Sequence, residues 1–348
     1  MVAVLAGAPV SLDLPLPLPA SVPAAASPSS VEPSSAGAPG RAAAPDDALG
    51  AVVAPSAQAL AHRLAGDRLE VLPLPTDGWH LADALDALAE ARLALPDLPA
   101  ADAVVVSDLT TVVLRVGDHA VKVYPPGTDP AHLARVVAGL AGSTTALLPT
   151  AGPVVTSSGV VLVAPWRTAV RPIDWTGTGA LLRRFHDDHA TADVAPWDPL
   201  RRLVTQVEGL PDDDARVLLD ARLALLDALT GVRPFLPPGV VHGDVSPLNV
   251  LHTAAGPVLI DIDFVARGPR EYDLFSAARR HVTGELDDAA YRGFCRAYGA
   301  DVRGWEGFAV LDRVGRLGGV AFRLWDDRRH GRPLTWVADA VREWRTPL

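Results

Sequence analysis

Four oxygen-bearing side chains fall close together in GVVHGDVSPLNVLHTAAGPVLIDIDF, residues 239–264. Asp244 is followed five residues later by Asn249, and a pair, Asp261 and Asp263, comes after the next apolar run. A carboxylate can take the proton of a hydroxyl, and hard oxygen donors beside it suit Mg²⁺, which completes its shell with phosphate and water. Singly, an Asp or Asn in a loop makes a turn or caps a helix. The spacing says more. The runs NVLH and PVLIDI flank TAAG, which predicts a tight hairpin. Folding about residue 255 sets Asn249 across from Asp261, with Asp244 on the loop just upstream. An amide oxygen and a carboxylate then meet at the open end of a hairpin, beside a second carboxylate.

Lys122 is the other candidate. It is the one lysine among 31 Lys and Arg residues, so arginine serves wherever else a cation is wanted. It lies in the apolar run HAVKVY, which GDH joins to TTVVLRV as a hairpin. That hairpin sets Lys122 opposite Leu114, on a face shared with Ala120, Tyr124, Val112 and Val116. An ammonium in such surroundings calls for an anion. A compact point charge suits a phosphate where the planar arginine fork binds in a different geometry.

Elements able to hold these residues follow from periodicity. PSAQALAHRLAG predicts a helix and RLEVLPL a short strand; GWHLADALDALAEARLAL has helical spacing. AVVVS, TTVVLRV and HAVKVY predict three strands, and TDPAHLARVVAGLAG a helix that Thr128 or Asp129 caps with Pro130 in its first turn. GPVVTSSGVVLVAPW predicts a second hairpin. From TGALLRRFHDDH onward the signal is helical except for the island at 239–264, and a β-rich part therefore precedes a larger helical one.

Length and composition bound the function. A chain of 348 residues, 49% hydrophobic, can build a bilobal unit plus a tail. A net charge of −10 disfavours nucleic acid as a partner. Cys295 alone excludes a disulfide framework and a multi-cysteine zinc site, and suits a reducing cytoplasm. Residues 1–50 are an Ala/Pro/Ser-rich stretch that predicts a disordered tail; it lacks a signal peptide's basic start, and no run is long enough for a membrane span. Neither GxGxxG nor GxxxxGK[ST] occurs.

VVHGDVSPLNVL followed by VLIDIDFVARGPREYDL resembles the aminoglycoside phosphotransferase family of small-molecule kinases over about residues 100–345. The motif is the kinase pattern of an Asp, an Asn five residues on, and a metal-binding Asp after a hairpin, with His-Gly-Asp in place of His-Arg-Asp. The resemblance implies an α+β, bilobal protein-kinase-like fold: a small antiparallel-sheet N-lobe over 51–166 and a larger helical C-lobe over 167–348. It implies transfer of the γ-phosphate of ATP, with Mg²⁺, to a hydroxyl of a small molecule. Asp244 would be the catalytic base; Asn249 and Asp261 would hold metal, with Asp263 as a further or supporting ligand. Lys122 would pair the α- and β-phosphates, Ala120 would make room for adenine, Ser107 would lie on the phosphate-covering loop, and backbone near Ala164 and Trp166 would meet the adenine edge. His242 would brace its loop, and His186 and Asp273 would be structural.

The sequence departs from that pattern twice. Kinases pair the strand lysine with a Glu on the next helix, yet between Lys122 and His186 the only carboxylates are Asp129 and Asp174. Glu90 is a candidate substitute. The covering loop, SDLTTV, has no glycine. A cationic acceptor such as an aminoglycoside would draw on Asp187, Asp188, Glu271, Asp312, Asp326 or Asp327, and Trp305 or Trp325 could line its pocket. Choline-, homoserine-, thiamine- and sugar-type acceptors share the motifs. A nucleotide-binding regulatory module without transfer activity is the reading from another class, motivated by the missing Glu.

Overall fold

Three successive strands, β1 (Ala103–Asp108), β2 (Val112–Val116) and β3 (His119–Tyr124), form an antiparallel meander in the computed structural model, which describes residues 71–348. The expected tail, the helix at 55–66 and the start of the strand at 68–74 lie outside the described residues. Residues 71–74 are irregular rather than strand. The meander joins the hairpin β4 (Ala151–Thr156) and β5 (Gly159–Pro165) in a five-stranded sheet of order β1-β2-β3-β5-β4.

Alternation along these strands gives the sheet two different faces. One carries Val112, Leu114, Val116, Val121, Val123, Val161 and Val163, packed under Ala84, Ala87, Leu88 and Ala91 of helix α1 (Leu81–Ala94). Each such buried Val or Leu contributes about 1.5–3 kcal/mol. The other face carries Val113 and Lys122. The β2–β3 turn is the two-residue Gly117-Asp118, with Gly117 at φ +57°, so Lys122 pairs with Val113 and Leu162, not with Leu114. Val113 and Arg115 share the lysine's face; Val112, Leu114 and Val116 point into the α1 core. An irregularity between Val105 and Ser107 makes Val106 an extra residue and brings Ser107 opposite Val113.

Helix α2 (Pro130–Gly139), capped by Asp129 through the Ala131 N–H at 2.8 Å, joins the two parts of the molecule. Leu133 packs with Tyr124, Val160 and Leu162 below the sheet, and Val136 enters the helical core. That core is built on α3 (Trp175–Asp188), with α4 (Leu203–Gln206) and α5 (Asp212–Gly231) following. Short strands interrupt the helices: β6 (Gly239–Val241) pairs with β9 (Ala266–Gly268), and β7 (Val250–Thr253) with β8 (Gly256–Leu259). Helices α6 (Glu271–Val282), α7 (Asp288–Tyr298), α8 (Phe308–Arg329) and α9 (Val337–Trp344) complete the chain. The fold is α+β and kinase-like. Among the described residues no helix is long and apolar enough to cross a membrane.

Candidate active site

The loop between β6 and β7 carries Asp244 and Asn249, and its shape follows from Gly243. This residue has φ +80°, and a Cβ there would stand 2.3 Å from the Phe264 carbonyl oxygen. No other residue type fits without moving the loop. The two peptides that precede Gly243 are fixed by Asp273 on α6, which is 1% exposed. Its Oδ2 accepts the His242 N–H at 2.6 Å and its Oδ1 the Gly243 N–H at 2.9 Å. His186 Nε2 lies 2.9 Å from the same carboxylate, and its Nδ1 lies 2.8 Å from the Tyr298 hydroxyl. His242 is fully buried, with Nε2 donating to the Ile260 carbonyl at 3.0 Å. Both histidines and Asp273 are therefore structural braces, as the sequence suggested.

The β7–β8 hairpin turns at Ala254-Ala255, with Val250 opposite Leu259. This register differs by one residue from the expected one. Asn249 faces Ile260, whose N–H donates to the Asn249 carbonyl at 3.0 Å, and Asp261 is the next residue on. The Asn249 Nδ2 donates to the Asp244 carbonyl and to its Oδ2, each at 2.9 Å, which leaves Oδ1 as the amide's oxygen donor. Asp261 has φ +65°, ψ +65°, a left-handed backbone that Asp tolerates better than most residues. The reversal sends Ile262–Phe264 into a 3-10 turn and brings Asp263 back beside Asp261. Phe264 is held under the guanidinium groups of Arg201 and Arg202, 5.3 and 5.2 Å from its ring.

Lys122 closes the site from the sheet. Its Nζ lies 2.5 Å from Asp261 Oδ1 and 2.6 Å from Asp263 Oδ2, and the Tyr124 hydroxyl donates to Asp263 Oδ1 at 2.6 Å. Burial pulls the lysine's pKa down, but the two carboxylates outweigh it and hold the ammonium charged. For Asp261 burial raises the pKa and the Lys122 ammonium more than offsets it, keeping the carboxylate ionised. The Asp244 carboxyl is pushed above the ordinary range, first by burial between the cleft walls and then by the Asp261 charge, against the pull of His242 and the Asn249 amide. Its outer surface is open to the cleft, where solvent screens part of this push.

A cavity of about 480 Å³ collects Ser107, Lys122, Asp244, Asn249, Asp261 and Asp263, with Leu109, Thr110 and Thr111 of the covering loop. Ala120, Ala164 and Trp166 are not among its lining residues. Ala120 and Ala164 face each other across β3 and β5. The expectation that Trp166 offers its backbone to adenine meets an obstacle: its N–H donates to the Asp118 carbonyl at 2.7 Å and its carbonyl accepts from Arg167 at 3.2 Å. Glu90 is no partner for the lysine; it accepts from the Ser157 N–H and hydroxyl, both at 2.8 Å.

The acceptor side also differs from expectation. None of Asp187, Asp188, Glu271, Asp312, Asp326 and Asp327 lines the cavity. Asp187 pairs with Arg183 and Arg270, Asp312 with Arg279, and Asp326 and Asp327 with Arg332. Glu271 is buried, accepting from the N–H groups of Phe235 and Leu236 at 2.6 and 2.7 Å. Trp305 and Trp325 are likewise absent from the lining; Trp197, Tyr272 and Phe322 stand there instead. Trp197 packs on Tyr272 with ring centroids 4.6 Å apart, and its backbone N–H donates to the Arg267 carbonyl of β9 at 2.8 Å. A tryptophan in the Pro-flanked loop APWDPL is the signal that could have drawn attention to it.

The donor set suits Mg²⁺: one amide oxygen and carboxylates, with room for phosphate and water. Among the described residues no group of three or more His, Cys, Asp or Glu is arranged to hold a metal ion by itself.

Known proteins agree with this architecture. No curated protein matches the sequence. Among solved structures, the chain is similar to a choline/ethanolamine kinase family protein from Mesorhizobium loti (17% identity, TM-score 0.52, covering 74% of this chain and 92% of that one). It is similar to a choline kinase from Streptococcus pneumoniae (12%, TM-score 0.56, 76% and 98%). It also resembles an amicoumacin kinase in complex with AMP-PNP and Ca²⁺ (13%, TM-score 0.57, 76% and 92%). At these identities the likeness establishes the protein-kinase-like fold. The model of the phosphotransferase enzyme family matches residues 80–311, two thirds of the chain, including Lys122, Asp244, Asn249, Asp261 and Asp263, and the chain belongs to that family.

Proposed function

We propose that this phosphotransferase is an ATP- and Mg²⁺-dependent kinase of a small-molecule alcohol. The observation that carries the reading is the meeting of Lys122, from the sheet, with Asp261 and Asp263, from the helical part, in the cavity that also holds Asp244 and Asn249. Bound ATP supplies the γ-phosphoryl group, which forms a bond to the acceptor oxygen as the bond to the bridging oxygen of ADP breaks, with Mg²⁺ offsetting the charge. Asp244 aims the acceptor hydroxyl and takes its proton on a carboxylate oxygen. Its raised pKa makes it a better base than an ordinary Asp. Asn249 and Asp261 would hold the metal, Lys122 the α- and β-phosphates, and Ser107, Thr110 and Thr111, which line the same cavity, would offer hydroxyls to the phosphates. The regulatory-module reading rested on an unpaired lysine, and Lys122 has two carboxylate partners.

The acceptor is an alcohol on an apolar or aromatic body rather than a polyamine. A polycation needs several unengaged carboxylates. The cavity offers Asp244, the Lys122-bound pair Asp261 and Asp263, and Asp198, 3.7 Å from Arg222. Its lining also includes the aromatic rings of Trp197, Tyr272 and Phe322, and the guanidinium groups of Arg201 and Arg202, whose charge further disfavours a polycation. The test is ADP release from ATP and Mg²⁺ with kanamycin, choline and chloramphenicol, representing a polyamine, a monocation and a neutral aromatic alcohol. Acceptor-dependent ADP release that Asp244→Asn abolishes supports the kinase reading. Preferred turnover of kanamycin overturns the acceptor class, and failure to bind ATP overturns the kinase.

A further inference from the structure

The sequence leaves Lys122 without the helix glutamate that such a lysine needs. The structure accounts for every nearby carboxylate. Asp129 caps α2 and Asp174 caps α3, each accepting a backbone N–H two residues on, at 2.8 and 3.1 Å. Glu90 is held by Ser157. Helix α2 reaches the site through His132, whose Nε2 lies 3.5 Å from the Asp263 backbone carbonyl, and brings no carboxylate with it.

We infer that Asp263, fixed by Tyr124, is the positioning carboxylate of Lys122, and that the two aspartates of IDID divide the work: Asp263 holds the lysine and Asp261 the metal. The inference rests on the ATP reading above. Lys122 and Tyr124 are two apart on β3 and so project from the same face. Between them they engage both oxygens of Asp263, Oδ2 by the ammonium and Oδ1 by the phenol. Tyr124 is 2% exposed and Asp263 8%, so the contact between them is largely shielded from solvent. Burial and the Asp263 charge push the Tyr124 phenol up, so it remains a donor. Asp261 is different. Its side chain is 19% exposed against 10% for Asp263, and it adjoins Asn249 and Asp244.

Charge and donor counting support the division. Two carboxylates on one ammonium leave a net negative charge that repels phosphate. When Asp261 turns to a divalent ion, Lys122 keeps one neutralising partner and has N–H donors to spare for the phosphate oxygens. A fixed anchor is needed because a lysine stem is flexible.

The experiment measures ATP binding twice, in EDTA and across a Mg²⁺ titration, for the parent, Tyr124→Phe, Asp263→Asn and Asp261→Asn, with melting temperature recorded for each. Tyr124→Phe removes one hydroxyl and is the mild variant if Asp263→Asn proves unstable. Tyr124→Phe and Asp263→Asn are expected to weaken ATP binding at saturating Mg²⁺ about five- to tenfold and leave the half-saturating Mg²⁺ within about twofold, as loss of a positioning contact predicts. Asp261→Asn is expected to raise the half-saturating Mg²⁺ about tenfold or more, since it removes a charged ligand. Parent-like ATP binding at saturating Mg²⁺ in both Tyr124→Phe and Asp263→Asn overturns the inference, as does a Mg²⁺ shift in Asp263→Asn like that of Asp261→Asn. A parent that binds no ATP under either condition overturns the kinase reading itself.

Discussion

The carboxylate of Asp273 accepts the backbone N–H of Gly243 at 2.9 Å, thirty residues away in the chain. With its other oxygen on the His242 N–H and on His186, it fixes the peptide that precedes Asp244. Asp273→Asn would turn an amide NH₂ toward groups that themselves donate. We expect a loss of about 2–4 kcal/mol of stability, the cost of leaving buried donors unpaired. Turnover should fall even where the variant remains folded. Parent-like melting and turnover together would remove Asp273 from this role.

Gly243→Ala tests the loop from the backbone side. At φ +80°, with Phe264 O 2.3 Å from the added carbon, the loop must shift. The strain is about 1–3 kcal/mol. Displacing Asp244 by about 1 Å should cost on the order of 10²-fold in transfer rate. Circular dichroism should be unchanged while the rate collapses; a variant as fast as the parent would show the loop to be slack.

Asp244 must be ionised to take a proton, so transfer should fall as pH drops through its pKa. That pKa is raised by burial and by Asp261, which places the acid limb of single-turnover rate above the ordinary Asp value of about 3.9. Asp244→Asn should lower the plateau rate above the limb by roughly 10²-fold or more and abolish the limb itself. A rate that stays flat to about pH 4 with the fold intact would contradict the assignment.

Trp197→Ala opens the aromatic wall of the acceptor side without touching the Lys122 cluster. The ring is seated on Gly268, where a Cβ would come within 2.6 Å, and against Tyr272. Loss of so large a contact should raise the acceptor KM about tenfold and leave the KM for ATP near the parent value. A change confined to the ATP KM would move Trp197 to the nucleotide side.

The sheet strands and the helices from 81 onward were legible because alternation and 3.6-residue spacing are local signals. So was the site's core, since His-Gly-Asp, Asn249 and the IDID pair lie on one loop and one hairpin. Hairpin register was not. Both turns, Gly117-Asp118 and Ala254-Ala255, shifted the expected pairing by one residue, and a one-residue slip exchanges the faces of a strand. That slip is why Val113, not Leu114, neighbours the lysine.

The sequence alone determined which side chains could do chemistry: a lone lysine, a base, and oxygen donors at motif spacing. Tertiary structure decided which of them meet. Lys122 finds Asp261 and Asp263 some 140 residues downstream, and of the six acidic residues that could have received a polyamine four pair with arginines, Glu271 accepts backbone N–H groups, and none, Asp188 included, lines the cleft. The physical reason is range. Periodicity and turn chemistry act over a few residues, whereas the partner of a charge is set by how helices and sheet pack, and that packing depends on the whole apolar core at once.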